Sequence, residues 1–284
     1  MLKIAVPNKG ALSEAATTLL REAGYRQRCE QKELVLVDED NNVEFYYLRP
    51  RDIAIYVGEG TLDLGITGRD MLRDSCAAAT EIMALGFGRS NFRFAAPGGS
   101  SMSLADLDGC RIATSYPGLL SAYLADRGIT ARLIPLDGAV EVSIRLGVAD
   151  VIADVVETGT TLRKAGLELF GDPILTSEGI LIQRTIGNHE IDAVGLDHLL
   201  QRLSGVQVAR TYVLLDYDIP ENLLEQASAL TPGLEAPTVS PLAKPGWVAV
   251  RSLVPVRGHQ RLMDNLHDLG ARGILVTGLS ACRL

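Results

Sequence analysis

The segment Glu141–Leu162, EVSIRLGVADVIADVVETGTTL, carries the pattern that decides the fold. Apolar residues recur at helical spacing in its first part, which predicts a helix over Val140–Leu146 that ends at Gly147. The apolar run Val151–Val155 then predicts a buried strand, which leads into a turn rich in threonine and glycine and a second helix start. A buried strand between two helices is typical of an α/β protein with a mainly parallel sheet.

The turn after this strand is a candidate anion site. A strand that leads through Thr and Gly into a helix presents free backbone N–H groups, and the helix dipole adds positive potential behind them. Gly159 permits a close approach or a positive φ, and the neighbouring threonine hydroxyls can donate further hydrogen bonds. The predicted site comprises Glu157, Thr158, Gly159, Thr160, Thr161 and Leu162. An ordinary strand–turn–helix connection with threonine as the helix cap is the alternative.

Strands and helices alternate through the first two-thirds of the chain in two successive groups. The first group has predicted strands at Leu2–Val6, Leu34–Val37, Val43–Leu48 and Leu64–Thr67. The second begins near Asn91, with predicted strands at Phe92–Ala96, Arg111–Ser115, Leu133–Pro135 and Val151–Val155. We therefore expect two doubly wound lobes that form a cleft, where strand ends and helix N-termini converge on a ligand. The predicted helix Ile191–Leu203 is expected to return to the first lobe.

The C-terminal segment differs from these lobes. Predicted strands at Tyr212–Tyr217, Glu235–Val239, Trp247–Val254 and Ile274–Thr277, with helices after the first and third, give the order βαββαβ. That order predicts a ferredoxin-like domain. The expected domains are residues 1–90 with the return segment 185–210, residues 91–184, and residues 211–284.

Composition narrows the class of protein. The 284 residues are 47% hydrophobic and 22% charged, which excludes a disordered chain. The net charge of −8 makes a general nucleic-acid binder a poor interpretation. No secretory signal or bilayer-spanning run is recognised, so a cytoplasmic protein with no membrane association is expected. The four cysteines fit neither disulfides nor a zinc site and are expected to be reduced core thiols.

The segment Glu141–Leu162 resembles the signature of the ATP phosphoribosyltransferase family, whose members catalyse the first step of histidine biosynthesis. The stretch Arg49–Leu72 is similar to the family's first-domain block, and Thr231–Leu242 to the third-domain block of its long form. The resemblance covers essentially the whole chain. It departs at Ala54, where proline is frequent, and at Ala11, where many members carry arginine. Ala11 leaves open which cation completes a phosphate site near Lys9.

The resemblance implies transfer of a phosphoribosyl group from phosphoribosyl pyrophosphate to N1 of ATP, with release of pyrophosphate and with Mg²⁺ as cofactor. Glu157–Leu162 would hold the ribose 5-phosphate, and Asp154 and Glu141 would be the catalytic carboxylates. The nucleotide would contact Lys9, Arg49, Asp70 and Tyr116. The alternatives are a surface pair of Glu141 with Arg145, solvated cations at Lys9 and Arg49, helix capping by Asp70, and a turn shaped by Tyr116.

The resemblance also implies regulation and assembly. The C-terminal domain of the long form binds L-histidine as a feedback inhibitor, and the corresponding residues are Asp218, Leu234, Thr238, Leu253 and Gly273. A carboxylate suits an imidazole N–H, although Asp218 before Pro220 is also placed to cap a helix. AMP would be a second inhibitor. The family suggests a homo-oligomer of dimers that form hexamers, with no separate regulatory subunit.

Three other functions share parts of this pattern. Two α/β lobes around a cleft also describe periplasmic solute-binding proteins and ligand-responsive transcription regulators. A nucleobase-salvage phosphoribosyltransferase typically has two adjacent acids before its Thr-Gly turn, whereas Asp154 is followed by Val155.

Overall fold

The computed structural model describes residues 1–30, 32–157, 159–187 and 189–283. By their contacts these residues divide into two compact units, residues 1–21 with 25–196 and residues 22–24 with 197–284. The first unit contains two mixed sheets and the second contains one antiparallel sheet, so the expected α/β class with an additional C-terminal sheet domain is confirmed.

The described strands are, in chain order, β1 (Leu2–Pro7), β2 (Val35–Asp38), β3 (Val43–Leu48), β4 (Leu64–Gly68), β5 (Ala79–Ala84), β6 (Ser90–Pro97), β7 (Arg111–Thr114), β8 (Arg132–Pro135), β9 (Val151–Val156), β10 (Leu167–Ser177), β11 (Gly179–Arg184), β12 (Tyr212–Pro220), β13 (Thr238–Pro241), β14 (Trp247–Pro255) and β15 (Arg272–Gly278). The described α-helices are α1 (Ala11–Glu22), α2 (Pro50–Gly58), α3 (Arg69–Ser75), α4 (Pro117–Ala125), α5 (Val142–Arg145), α6 (Thr160–Lys164), α7 (Ala193–Thr211), α8 (Leu224–Leu230) and α9 (His259–Leu269). Short 3₁₀ helices lie at Leu104–Leu107 and Glu221–Leu223.

The first lobe is built on a six-stranded sheet in the order β2-β3-β1-β4-β11-β5. Strand β1 is parallel to both β3 and β4, as expected for a buried strand followed by a helix. Helix α2 packs closely on this sheet because Gly65 has no side chain, and a Cβ there would lie 2.5 Å from Cγ2 of Ile53. Ile53, Val57 and Ile180 share the resulting buried core.

The second lobe is built on a five-stranded sheet in the order β10-β6-β9-β7-β8. Strand β7 is parallel to β8 and β9, while β6 and β10 run antiparallel to their neighbours. Phe92 and Phe94 of β6 pack with Leu120 of α4 in its core. This sheet positions the segment Glu141–Leu162, since β9 lies in its centre.

The chain passes twice between the lobes, from β5 to β6 and back from β10 to β11. Strand β11 pairs antiparallel with β4 and β5 in the first sheet. The residues 179–184, which the sequence assigns to the second lobe, therefore belong to the first sheet. The chain therefore returns to the first lobe at β11, before the predicted helix Ile191–Leu203. Strands β5 and β10 were not predicted, because burial along them does not alternate from residue to residue.

Two predicted helices have other lengths in the structure. Helix α5 is a single turn of four residues, shorter than the predicted Val140–Leu146. Helix α7 continues to Thr211, eight residues beyond the predicted end at Leu203, because Gly205 is buried inside the helix and does not end it.

The third sheet has the order β13-β14-β12-β15 with every described pairing antiparallel, which confirms the ferredoxin-like prediction. One face packs against α8 and α9 through Leu215, Tyr217 and Leu266. Residues that alternate with these along β12, including Asp216 and Asp218, lie on the opposite face, which we call the open face.

The cysteines are free but not in the core. Cys29 and Cys76 are exposed, whereas Cys110 and Cys282 are half-buried, so the expected core location is wrong. Among the described residues, no helix is both long enough and apolar enough to cross a membrane.

A buried ion pair fixes the end of β11. Asp63, 2% exposed, accepts from Nε of Arg184 at 3.0 Å through Oδ1 and from the backbone N–H of Lys3 at 3.0 Å through Oδ2. Nε2 of His189 also lies 3.0 Å from Oδ1 of Asp63. The carboxylate thus links β1, the start of β4 and the end of β11.

Replacing Arg184 by methionine should strongly destabilise the first lobe. Loss of one partner leaves a buried charge without its counterion, which typically costs about 3–5 kcal/mol. Urea unfolding measures the effect, with Arg251→Met as the control because the Arg251–Asp216 pair is exposed at its arginine end. An exposed pair contributes at most about 1 kcal/mol, so equal losses in the two variants would contradict the prediction.

Candidate functional site

The loop between β9 and α6 surrounds a cavity of about 360 Å³. Gly159 is the N-cap residue of α6 and has a φ of +69°, which explains the need for glycine. Of the residues predicted for this site, Thr158 lies outside the described residues. The other five line the cavity together with two valines and the two predicted catalytic carboxylates. The lining residues are Glu141, Asp154, Val155, Val156, Glu157, Gly159, Thr160, Thr161 and Leu162.

The loop can bind an anion through local groups more than through a helix dipole. Helix α6 has only five residues, so its dipole is weak. The N–H groups of its first turn and the hydroxyl of exposed Thr161 are donors of the kind that an anion needs. Leu162 is 9% exposed and packs with Val140 and Ile152, so its side chain anchors the loop in the core.

Asp154 faces this cavity with its carboxylate half-buried. Burial raises the pKa of Asp154, and the negative charge of Glu141 raises it further, whereas Arg51 opposes the change. Oδ1 of Asp154 accepts the N–H of Val155 at 2.8 Å. Glu141 forms no ion pair with Arg145 within the described part of the chain, so the surface-pair alternative is wrong. Two carboxylates therefore lie at one cavity.

A second cavity of about 230 Å³ lies between the two lobes and brings together three of the residues predicted for the nucleotide. Lys9 and Asp70 come from the first lobe, and Tyr116 comes from the second. Val155 and Glu157 also line it, and both line the loop cavity as well, so the two cavities adjoin. We call this space the interlobe cavity.

Asp70 and Tyr116 form a buried polar group at the interlobe cavity. The N–H of Asp70 donates to Oγ of Ser177 at 3.0 Å, and the Ser177 hydroxyl donates to Oδ1 of Asp70 at 2.9 Å. Burial raises the pKa of Tyr116, and its hydrogen bond to Asp70 acts in the same direction, so the phenol stays neutral. Gly68 is the N-cap residue of α3, and the first-turn N–H of Asp70 donates to Ser177 and not to a side chain of α3. Capping by Asp70 is therefore wrong.

Arg51 is a site residue that the sequence analysis missed. Its guanidinium lies 4.4 Å from the centroid of the Tyr116 ring and pairs with Oδ2 of Asp74 at 3.1 Å. Its charge also acts on Asp154. The available signal was its position in the first turn of α2, directly after a strand whose carboxyl end faces the cleft.

Positive charge gathers beside Lys9. Lys9 and Arg49 follow the neighbouring parallel strands β1 and β3, but Arg49 is exposed at the N-cap position of α2 and lines neither cavity. A further cavity of about 630 Å³ is lined by Lys9, Arg21 and Arg28. Arg28 donates to the carbonyl of Asn8 at 2.8 Å, so it lies beside Lys9 where Ala11 supplies no charge.

The residues predicted for an effector lie mostly on the open face of the third sheet. Asp218 alternates with buried Tyr217 and Ile219 along β12, and a Cβ on Gly273 would lie 3.4 Å from its Oδ2. Thr238 and Leu253 lie on β13 and β14, and Leu234 precedes β13. Asp218 lies inside β12, and the following 3₁₀ helix begins after Pro220 without a side-chain cap, so the capping alternative is wrong.

Comparisons with known proteins show the family of this chain. The family model described as ATP phosphoribosyltransferase (HisG) matches residues 49–205, and the one described as HisG, C-terminal domain, matches residues 209–281. The ATP phosphoribosyltransferase of Pseudarthrobacter chlorophenolicus is 62% identical over 284 residues, with both chains fully covered. That of Streptomyces coelicolor is 60% identical over 285 residues, also with full coverage. The chain belongs to the ATP phosphoribosyltransferase family.

Membership makes the chain an enzyme, a phosphoribosyl-transferring transferase of histidine biosynthesis that uses ATP and phosphoribosyl pyrophosphate. It replaces the solute-binding, regulator and salvage alternatives. Among solved structures, a chain of the ATP phosphoribosyl transferase (HisG:HisZ) complex from Thermotoga maritima superposes with a TM-score of 0.62 at 27% identity. The match covers 97% of that chain but 72% of this one, so this transferase carries additional sequence.

Asp154→Asn should stabilise the ligand-free transferase increasingly as the pH rises. A carboxyl whose pKa is raised on folding destabilises the folded state once it ionises. The cost is absent below the unfolded-state pKa and complete above the folded-state pKa. Asparagine retains the acceptor for Val155 but never ionises.

The check is the difference in free energy of unfolding between wild type and variant, measured from about pH 4 to about pH 8. A difference that does not change with pH would contradict the assignment.

Proposed function

We propose that this transferase moves the phosphoribosyl group of phosphoribosyl pyrophosphate to N1 of ATP, giving N1-(5-phosphoribosyl)-ATP and pyrophosphate. The observation that carries the proposal is the junction of the two cavities at Val155 and Glu157. A sugar phosphate held by the loop and a nucleotide held between the lobes would meet there. Such an arrangement supplies the proximity that a two-substrate transfer requires.

The loop cavity suits the ribose 5-phosphate. N–H groups at the start of α6 and the hydroxyls of Thr160 and Thr161 would donate to the phosphate oxygens, with Gly159 allowing the close approach. Asp154 is placed to accept hydrogen bonds from the ribose hydroxyls. Its negative charge, with that of Glu141, also favours the positive charge that develops on the ribose during transfer.

The interlobe cavity and its basic neighbour suit the nucleotide. Adenine N1 already has a free lone pair, so no strong base is needed to generate the nucleophile. Tyr116 stays neutral and Asp70 is held by Ser177, so both would orient the nucleotide through fixed hydrogen bonds. Lys9, Arg21 and Arg28 of the basic neighbour would supply positive charge to the polyphosphate. Arg49 lines none of these cavities and would add charge from the N-cap position of α2.

Mg²⁺ would neutralise phosphate charge when it is bound. Within the described residues, no group of three His, Cys, Asp or Glu side chains could hold a metal ion. Mg²⁺ is usually bound by substrate phosphates with one or two carboxylates, which fits Asp154 and Glu141. Burial raises the pKa of Asp154 and the charge of Glu141 raises it further, so a cation bound beside these carboxylates would favour the ionised form of Asp154. These carboxylates would therefore hold the ion together with the substrate.

Regulation belongs to residues 211–284 in this proposal. L-histidine would bind on the open face, with the imidazole at Asp218 and with Leu234, Thr238, Leu253 and Gly273 around it, and AMP would be a second inhibitor. Residues 1–90 with 185–210 and residues 91–184 would form the catalytic lobes, with the sheet membership of β11 as described above. The active form would be a homo-oligomer of dimers that form hexamers, without a separate regulatory subunit.

The reaction is tested by incubating the protein with ATP, phosphoribosyl pyrophosphate and Mg²⁺ and following a new adenine absorbance. Product should require all three additions, and pyrophosphate should appear in equal amount. Absorbance change without phosphoribosyl pyrophosphate, or pyrophosphate release without ATP, would contradict the proposed transfer.

Thr161→Val should raise the KM for phosphoribosyl pyrophosphate at least severalfold. The variant loses a hydroxyl donor to a charged phosphate, a hydrogen bond worth about 1.5–3 kcal/mol, while the valine side chain is close in size. Steady-state kinetics measure the change. Thr130→Val is the matched control because Thr130 is an exposed threonine of the same lobe outside the cavities. An unchanged KM in folded Thr161→Val would remove this residue from the site.

Asp218→Asn should weaken inhibition by L-histidine about tenfold, which corresponds to about 1.4 kcal/mol. The melting temperature should stay close to that of the wild type, because Asp218 caps no helix. The inhibition constant and the melting temperature are measured on one preparation. The control is Asp264→Asn, since Asp264 is an exposed residue of α9. Unaltered inhibition would place the histidine site elsewhere.

A further inference from the structure

Asp74 in α3 of the first lobe caps a helix of the second lobe. Its Oδ1 accepts the backbone N–H groups of Gly118 at 2.8 Å and Leu119 at 3.1 Å. These groups belong to the first turn of α4, where N–H groups have no acceptor within the helix. Helices are commonly capped by a side chain that lies next to them in sequence, whereas Asp74 lies 44 residues before Gly118.

The contact between α3 and α4 is close enough to require glycine. A Cβ on Gly118 would lie 2.2 Å from the backbone oxygen of Asp74. Atoms do not approach so closely without displacement of one backbone. The side chain of Asp74 is 13% exposed, so the capping carboxylate is well shielded from water. Backbone fit and side-chain capping therefore fix the same junction independently.

The junction leads directly to the interlobe cavity. The other carboxylate oxygen of Asp74 pairs with Arg51, whose guanidinium covers the ring of Tyr116. Tyr116 is the N-cap residue of α4, lines the interlobe cavity and hydrogen-bonds to Asp70. One carboxylate thus holds the start of α4 and the cation that rests on Tyr116.

We propose that Asp74 is a positioning residue that sets the separation of the two lobes required for nucleotide binding. The inference rests on the proposed assignment of the interlobe cavity to the nucleotide. That cavity takes its walls from both lobes, whereas the loop cavity is built from Glu141–Leu162 of the second lobe alone. A change in lobe separation must therefore disturb the nucleotide site and leave the phosphoribosyl pyrophosphate site intact.

The kinetic test compares the two substrates in Asp74→Ala. The KM for ATP should rise on the order of tenfold, because a small misplacement remote from the chemistry can cost up to about a hundredfold. The KM for phosphoribosyl pyrophosphate should stay close to the wild-type value, because the loop cavity takes no wall from the first lobe. Gly118→Ala should give the same pattern without removing a charge. If the substitution only reduced the amount of folded enzyme, the apparent kcat would fall and both KM values would stay at the wild-type level. That pattern, or equal rises in both KM values, would overturn the proposal.

Asp106→Ala is the matched control. Asp106 accepts the N–H and hydroxyl of Ser103 in a capping box that lies entirely within the second lobe. Its loss removes a capping carboxylate without touching the junction, so both KM values should stay at the wild-type level. A selective rise in the KM for ATP in this variant would show that any lost cap has this effect, and would overturn the role of Asp74.

Amide hydrogen exchange tests the junction without relying on activity. The amides of Gly118 and Leu119 should exchange faster in Asp74→Ala, and less so in Asp74→Asn, which keeps an acceptor but loses the charge that pairs with Arg51. Unchanged exchange in Asp74→Ala would overturn the proposal. A wild-type enzyme that forms no phosphoribosyl product would instead refute the proposed reaction and leave the exchange result valid.

Discussion

The antiparallel insertion of β11 between β4 and β5 is the pairing on which the first unit depends. Strand β11 follows all the strands of the second sheet along the chain, so the first sheet is completed by a segment distant in sequence. Such a contact costs more loop-closure entropy than a hairpin. The buried Asp63–Arg184 pair joins the end of β11 to the residue before β4. The crossing strands are neighbours in both sheets, β5 with β11 and β6 with β10, which places both crossings side by side and leaves a cleft between the lobes.

The cleft of this acidic chain contains hydrogen-bond donors and cations close together. A net charge of −8 disfavours anionic substrates at long range, so binding depends on short-range donors. In the proposed site, backbone N–H groups at α6 and the cations Lys9, Arg28 and Arg51 would supply them from different elements. Burial raises the pKa of Asp154 and the charge of Glu141 acts in the same direction, so the substrate-bound cation of the proposed reaction would favour the ionised carboxylate.

Much of the fold could be predicted from sequence because most elements carry their own periodicity. Strands β1, β3 and β9 were found within one residue of their observed ends, and the ferredoxin-like order was found with two strand ends, in β12 and β13, misplaced by three residues. Strands β5 and β10 were missed because burial along them does not alternate from residue to residue, so their sequences carry no two-residue period. The end of α7 was misplaced because a glycine inside a helix is tolerated where packing around it is close.

The sequence by itself determined the local chemistry: the glycine turn at Gly159, the carboxylate of Asp154, the apolar strand before them, and membership of the family. Only the tertiary structure decided which side chains act together. Ser177 reaches Asp70 across 107 residues, and Arg51 reaches Tyr116 from a helix of the other lobe. Gly118 gave no signal in the sequence, because its requirement comes from the backbone of Asp74 and not from the conformation of its own helix. Local patterns are set by neighbours along the chain, whereas these contacts are set by the order of strands in two sheets and the packing of helices upon them.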